Sequence, residues 1–152
     1  RACATMIDRS KLENVILVAD RGYENYNIFA HAIEKGWKFA IRIKDKNSNG
    51  IASWLNFPPN DEFDIDITQI FSRENTKTTK NADYKWMPVN QVFDYLPRKS
   101  DKTYELSFEM AHYADIGIIL HREKYIRATR STSSFDLISL LVASIIGCSV
   151  MP

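Results

Sequence analysis

The fold is decided by residues 15–24, which read Val15-Ile-Leu-Val-Ala-Asp-Arg-Gly-Tyr-Glu24. The short apolar, β-branched run predicts a buried strand over Val15–Ala19, and the acid and glycine that follow predict its abrupt end. Ligands in α/β sheets collect beyond the carboxyl ends of the strands. Asp20 is therefore placed for metal or acid/base chemistry, although an acid after a strand is often only a turn former or a helix cap.

The segment after Asp20 predicts a helix. Ile28, Phe29, Ala32 and Ile33 recur at helical spacing, and Gly36 stands where a helix C-terminal glycine belongs. We therefore expect a helix from about Asn25 to Lys35, and a further helix end over Ala2–Ser10, where chain breakers are few.

Residues 37–44 predict a second strand, because apolar and basic side chains alternate along them. The alternation places these residues on the two faces: Trp37, Phe39, Ile41 and Ile43 on the inner, and Lys38, Arg42 and Lys44 on the outer. Strand, helix and strand with tight connections indicate a right-handed βαβ unit. We expect the outer face of the second strand to be basic and open to solvent.

From Asp45 onward the regular alternation of strand and helix patterns stops. Turn clusters and polar spans separate short runs at 63–71 and 84–92, and Pro88 and Pro97 favour edges or irregular connections. Residues 47–108 are interpreted as a β-rich insertion of short strands and long loops.

Composition narrows the class without naming a function. The chain has 152 residues with 45% hydrophobic and 26% charged side chains, which is typical of one globular domain. Its 20 Lys and Arg nearly balance 19 Asp and Glu, so a nucleic-acid site would have to be a local basic face. Cys3 and Cys148 lack metal-ligand spacing and fit a reducing compartment, so a cytoplasmic location is expected.

The motifs together resemble the central part of Asp-Asp-Glu transposases of bacterial insertion sequences. The resemblance rests on Asp20-Arg-Gly-Tyr, on the helix with Tyr26-Asn-Ile-Phe29, and on the strand with Phe39, Arg42 and Lys44, and it covers about residues 1–108. It implies an α/β fold, namely a partial ribonuclease H-like mixed sheet interrupted by a β-rich insertion. It also implies that Asp20 is the second catalytic aspartate.

The resemblance further implies chemistry and partners. Carboxylates of such enzymes hold Mg²⁺ or Mn²⁺, which stabilises charge during phosphodiester cleavage and strand transfer. Double-stranded DNA, both element ends and target, would be the partner, with Arg21, Arg42 and Lys44 as candidate phosphate contacts. The intact parent enzyme is expected to be soluble rather than membrane-bound, and a homodimer is an open possibility.

Two acids of the family pattern are not found in the sequence. The first aspartate is expected upstream of Arg1, and Arg122-Glu-Lys124 is a poor substitute for the third acid because adjacent residues point around a helix. We therefore expect a central piece of a transposase, truncated or frame-shifted after about residue 108 and inactive alone. The chain divides into core (1–46), insertion (47–108) and divergent tail (109–152), with an apolar stretch at 135–150.

Several other side chains have an ordinary interpretation that competes with a functional one. Trp54, Trp86 and the surroundings of Tyr84 resemble base-stacking groups, but aromatic residues of an insertion more often form its small core. Gly22 is expected to serve backbone geometry, and Tyr23 to pack or to function. None of the three histidines, His31, His112 and His121, has a spaced partner that marks a metal ligand.

Two function classes remain open at this level. The first is a catalytic core of DNA transposition in which Asp20 holds metal and Arg42 and Lys44 contact phosphates. The second is a non-catalytic remnant, or a DNA-binding module that uses the same basic strand without metal.

Overall fold

The computed structural model describes residues 2–45, 47–59, 63–75, 84–113 and 116–121. The helices are α1 (Ala2–Arg9) and α2 (Tyr26–Glu34), and short 3-10 helices cover Arg21–Tyr23 and Ile51–Trp54. The strands are β1 (Ile16–Ala19), β2 (Lys38–Arg42), β3 (Phe63–Ser72), β4 (Tyr84–Trp86), β5 (Thr103–Tyr113) and β6 (Ile116–His121).

The βαβ unit predicted from the sequence is confirmed. β1 and β2 pair in parallel, with Ala19 opposite Ile41, and α2 connects them. The Asn25 side chain caps α2 by accepting a hydrogen bond from the backbone N–H of Asn27 at 2.8 Å. Gly36 ends the helix with φ of 71°, a left-handed conformation that glycine adopts without steric cost.

The six strands form one mixed sheet in the order β1-β2-β6-β5-β3-β4. The pairs at both ends, β1–β2 and β3–β4, are parallel, and the three pairs between them are antiparallel. The mixed α/β class expected from the sequence is therefore confirmed. The division at residues 46 and 108 stays a prediction, but β5 runs through residue 108 without a break and β6 pairs directly with β2.

Helix α2 lies across one face of this sheet and joins its two halves. The Phe29 ring stacks on Phe39 of β2 at 5.3 Å and meets Phe108 of β5 edge-on at 6.1 Å. The Tyr26 ring meets Phe71 of β3 at 4.7 Å between ring centroids. Aromatic pairs at such distances contribute beyond their buried area, so this cluster fixes the insertion strands against the core unit.

Helix α1 is attached to α2 and to the loop before β5 through one histidine. His31 is buried, and its Nδ1 lies 2.7 Å from Asp8 Oδ1 while its Nε2 lies 3.0 Å from Asp94 Oδ2. Both imidazole nitrogens donate together only when the ring is protonated. Asn27 Nδ2 donates a hydrogen bond to Asp94 Oδ2, and the Asp94 backbone N–H donates one to Asn27 Oδ1, each 2.8 Å long. These contacts tie three separate parts of the chain together.

The loop over residues 87–97 is organised by a buried arginine. The Arg73 guanidinium donates to the backbone carbonyls of five loop residues: Met87, Pro88, Gln91, Phe93 and Leu96. Burial, followed by the nearby charge of Arg98, lowers the pKa of Arg73. No sequence pattern indicated this role of Arg73, and of the short run at 84–92 only Tyr84–Trp86 forms a strand.

Strand β1 lies at the edge of the sheet that the described residues form, and two of its apolar side chains are open to solvent. Ile16 is 53% exposed and Val18 is 40% exposed. The sequence predicted a buried strand here, and burial is the part of that prediction that is wrong. The strand is buried only on the side of Leu17, which packs against the core cluster.

No helix in the described ranges has the length and apolarity needed to cross a membrane. The apolar stretch at 135–150 and the Arg122-Glu-Lys124 segment lie outside the described residues.

Candidate functional site at the end of β1

Asp20 lies directly after β1 and its side chain is exposed. Its Oδ1 accepts a hydrogen bond from the backbone N–H of Arg21 at 2.7 Å and so caps the 3-10 helix over Arg21–Tyr23. Its Oδ2 makes no hydrogen bond to any described residue. The carboxylate therefore does serve as a cap, and it also presents an oxygen to solvent at the rim of the sheet.

The three residues after Asp20 are exposed and make few contacts. Arg21 meets Asp20 through its backbone amide, and the described residues contain no ion pair between the two side chains. A Cβ built on Gly22 meets no atom within 4 Å, and its φ is not positive. The expectation that Gly22 is needed for backbone geometry is therefore wrong.

Arg42 and Lys44 come to the same end of the sheet as Asp20. Because Ala19 is in register with Ile41, the next residues lie at the same level: Asp20 directly after β1 and Arg42 as the last residue of β2. Arg42 is half-buried and Lys44 is exposed. The outer face of β2 is less open than predicted, since Ala40 between Lys38 and Arg42 is only 2% exposed.

Glu24, which sequence reasoning did not single out, connects this end of β1 to the chain beyond β2. Its Oε2 accepts a hydrogen bond from the Lys44 backbone N–H at 2.8 Å, and its Oε1 accepts one from the Ile51 backbone N–H. Gly50 lies so close that a Cβ there would stand 2.6 Å from Glu24 Oε1 and 2.8 Å from Lys44 Cβ. Glu24 thus positions Lys44 beside the Asp20 turn and has no carboxylate oxygen left without a donor.

A cavity of about 180 Å³ opens next to this connection. Its lining combines residues of the α2 N-terminus, the segment after β2 and strand β4: Asn25, Tyr26, Lys44, Asn49, Trp54 and Lys85, together with Glu24, Gly50, Ile51 and Gln91. Lys85 Nζ lies 4.7 Å from the Trp54 ring centroid and 5.6 Å from that of Tyr26. Burial lowers the pKa of Lys85.

Two tryptophans depart from the expectation that the insertion aromatics form a core. Trp54 is 75% exposed and Trp86 is 47% exposed, although the Trp86 indole N–H donates to the Arg73 carbonyl at 3.3 Å. The aromatic core of this region is built instead by Phe71, Phe93 and Tyr104. The Phe93 ring centroid lies 5.2 Å from that of Phe71 and 5.3 Å from that of Tyr104. The residues next to both tryptophans in the sequence do not predict that these side chains are exposed.

The donor set for a divalent ion is small in the part of the chain that the structure describes. No group of three or more His, Cys, Asp or Glu side chains there is arranged to hold a metal ion. Glu24 is occupied by backbone amides, whereas Asp20 and Asp45 are exposed and each uses Oδ1 to accept one backbone N–H, which leaves Oδ2 as a possible ligand. Carboxylate oxygen suits Mg²⁺ and Mn²⁺, but one carboxylate gives at most weak affinity.

These features define a mixed α/β domain with an exposed carboxylate and nearby cations at one end of its parallel strand pair. The family model of the transposase DDE domain matches residues 1–122, so the chain belongs to that family. The resemblance stated from the motifs is confirmed, and the match extends past Phe108, where it was expected to end. No curated protein and no solved structure was found to match the chain.

Proposed function

We propose that this chain is part of the catalytic domain of a DNA transposase with a ribonuclease H-like core, and that Asp20 is its second catalytic aspartate. The observation that carries the proposal is the arrangement at the end of the parallel pair, where Asp20, directly after β1, and Arg42, the last residue of β2, lie at one level. Membership of the transposase DDE domain family supports it. The substrate is double-stranded DNA, at the ends of an insertion sequence and at the target, in the bacterial cytoplasm.

In this proposal each side chain of the site has one task. Asp20 contributes one carboxylate ligand to Mg²⁺ or Mn²⁺; when bound, divalent ions supply positive charge to the attacking and leaving oxygens of the phosphodiester. Arg21, Arg42 and Lys44 contact backbone phosphates and set the position of the strand. Glu24 holds Lys44 in place. The remaining acids are supplied from outside the described residues, by a parent enzyme that acts as a homodimer.

DNA binding tests the part of the proposal that involves the cations. We expect the purified chain to bind a short duplex at low salt, with affinity that falls as salt rises. Arg42→Ala with Lys44→Ala removes two phosphate contacts and should reduce the slope of log affinity against log salt by about 1.8. Lys11→Ala with Lys99→Ala, which removes the same charge elsewhere, is the matched control. If both double variants changed the affinity and the salt slope equally, Arg42 and Lys44 would not be specific phosphate contacts.

Metal binding and catalysis test Asp20. We expect calorimetry to show weak Mn²⁺ binding by the wild-type chain and none by Asp20→Asn. We also expect the chain alone to cleave no transposon-end duplex, because one carboxylate does not position two ions. Metal-dependent cleavage that survives in Asp20→Asn would disprove the role of this residue.

One observation favours a non-catalytic, DNA-binding module as the second candidate. Within the described ranges no group of three or more acidic, histidine or cysteine side chains is arranged to hold a metal ion, while Arg42 and Lys44 lie at the same end of the sheet as Asp20. Salt-dependent duplex binding by both wild type and Asp20→Asn, without any Mn²⁺ binding by either, would support this alternative over the catalytic one.

A further inference from the structure

The cavity next to Glu24 is lined by a cation, the Lys85 ammonium, which lies against aromatic rings. Lys85 is half-buried on the short edge strand β4, and its ammonium contacts two aromatic faces. No carboxylate of a described residue lies within ion-pair distance of it. A half-buried ammonium at an open cavity can be reached by an anion from solution, which would pair with it through a charge-assisted hydrogen bond.

The rest of the lining suits an anionic ligand. Lys44 brings a second ammonium from the side of β2, and its backbone is fixed there by Glu24. The amide side chains of Asn49 and Gln91 are potential hydrogen-bond donors, and both lie in the lining. The only carboxylate among the lining residues is Glu24, and both of its oxygens already accept backbone N–H groups.

Trp54 determines where the Lys85 ammonium stands. A cation–π contact holds an ammonium near the ring face, and the 4.7 Å distance is well within the favourable range. Since Trp54 is 75% exposed, the ring does little for the hydrophobic core, and its main described contact is with Lys85. Trp54 is therefore a positioning residue for the cation.

We propose that Lys85 and Lys44 form a subsite for a DNA backbone phosphate, with Trp54 fixing the ammonium of Lys85. The inference rests on the proposed function, because it assumes that DNA lies along this end of the sheet. Glu24, which lines the cavity and fixes the backbone of Lys44, directly follows the 3-10 turn that Asp20 caps. The insertion thereby contributes directly to DNA binding through β4.

Duplex binding by the full chain at several salt concentrations tests the subsite. Lys85→Gln should weaken binding on the order of tenfold at low salt and reduce the salt slope by about 0.9, the value for one phosphate contact. Lys85→Arg should restore most of both. Lys11→Gln, at the opposite end of β1, is the control and should leave affinity and slope near wild type.

A second measurement uses the wild-type chain, so it does not depend on a variant that folds. Addition of duplex should slow chemical acetylation of Lys85 several-fold and leave Lys11 unchanged, as read by mass spectrometry. Wild-type duplex affinity in Lys85→Gln, or acetylation of Lys85 at an unchanged rate when duplex is added, would overturn the subsite. The proposed function would still stand if Arg42→Ala with Lys44→Ala weakened duplex binding. Absence of duplex binding by the wild type would overturn both.

Discussion

A single guanidinium determines the conformation of eleven residues. Arg73 stands at the end of β3, and its six hydrogen bonds all go to carbonyls of the loop over residues 87–97. That loop carries Gln91, which lines the cavity, and Asp94, which contacts His31. The position of both side chains therefore depends on Arg73.

Replacement of Arg73 should be among the most destabilising changes in the chain. Arg73→Met keeps most of the side-chain volume but leaves several buried carbonyls without a donor, each costing about 1–3 kcal/mol. We expect the free energy of unfolding to fall by at least about 3 kcal/mol in urea titrations at pH 7.

Arg98→Met is the matched comparison for this prediction, because Arg98 is an exposed arginine of the same loop region. Its effect should stay within about 0.5 kcal/mol. If the two variants unfold at similar urea concentrations, the hydrogen bonds of Arg73 do not stabilise the loop over residues 87–97.

The sequence predicts the position of Asp20 at the end of a strand but does not predict the contacts of Glu24 and Lys85, for a physical reason. The position of Asp20 follows from local chemistry, since an apolar strand that stops at an acid is visible in ten consecutive residues. Glu24 acts through residues more than nineteen positions away, and Lys85 through a cavity wall built by four separate segments. No short-range pattern contains that information.

At the scale of elements, the connection between the Asp20 turn and the segment after β2 depends on a missing side chain. Gly50→Ala would bring a Cβ within 2.6 Å of Glu24 Oε1 and 2.8 Å of Lys44 Cβ. The carboxylate must then leave its two backbone donors or the segment must shift. We expect a loss of about 1–3 kcal/mol in the free energy of unfolding and faster hydrogen exchange at the Lys44 and Ile51 amides.

Gly22→Ala provides a control on the other side of the same connection. An added Cβ at Gly22 meets nothing within 4 Å, and the backbone needs no positive φ there. Its stability should change by less than about 0.5 kcal/mol. A Gly50→Ala protein with wild-type exchange at Lys44 and Ile51 would show that the close contact is relieved without consequence.

The elements themselves were predictable to different degrees. β1, α2 and β2 are each signalled by periodicity and caps, and the structure places all three close to the expected bounds. β4 has only three residues, and its parallel pairing with β3 is non-local. β6 follows β5 after a very short connection, and pairing with β2 across the chain determines its place in the sheet. Pairings between strands that are distant in the chain produce no periodic pattern in the sequence, so they could not be predicted from it.

At the scale of the whole molecule, buried tyrosines set the limit of stability at alkaline pH. Tyr26 is 5% exposed, and its burial, followed by the charge of Glu24, raises the pKa of its phenol. Burial also raises the pKa of Tyr104, with a further contribution from its hydrogen bond to Glu34. In the unfolded chain these phenols ionise near pH 10, while the folded chain retains their protons.

The sign of the pH dependence follows from this difference. A pKa that is higher in the folded state leaves stability intact below about pH 10, and stability is lost as pH rises further, because the unfolded state then binds fewer protons. We expect Tyr26→Phe to make the loss above pH 10 less steep by about 1.4 kcal/mol per pH unit. Thermal unfolding between pH 8 and 11 measures it, and parallel curves for both proteins would contradict it.

The general fold class was accessible from sequence, but the extent of the sheet was not. The βαβ unit predicts a mixed α/β domain, and that much is observed. The contact of α2 with strands from both halves depends on aromatic side chains 40 to 80 residues apart, such as Tyr26 with Phe71 and Phe29 with Phe108. Only the folded chain brings them together.

The open side of β1 has a practical consequence for anyone who handles the isolated chain. Among the described residues β1 pairs with β2 alone, so its other backbone edge and the solvent-facing Ile16 and Val18 form a template for strand pairing with a second copy. Storage lifetime should therefore shorten as protein concentration rises, and Val18→Lys should lengthen it. Light scattering that stays constant as concentrated samples age would show that copies do not associate through the edge of β1.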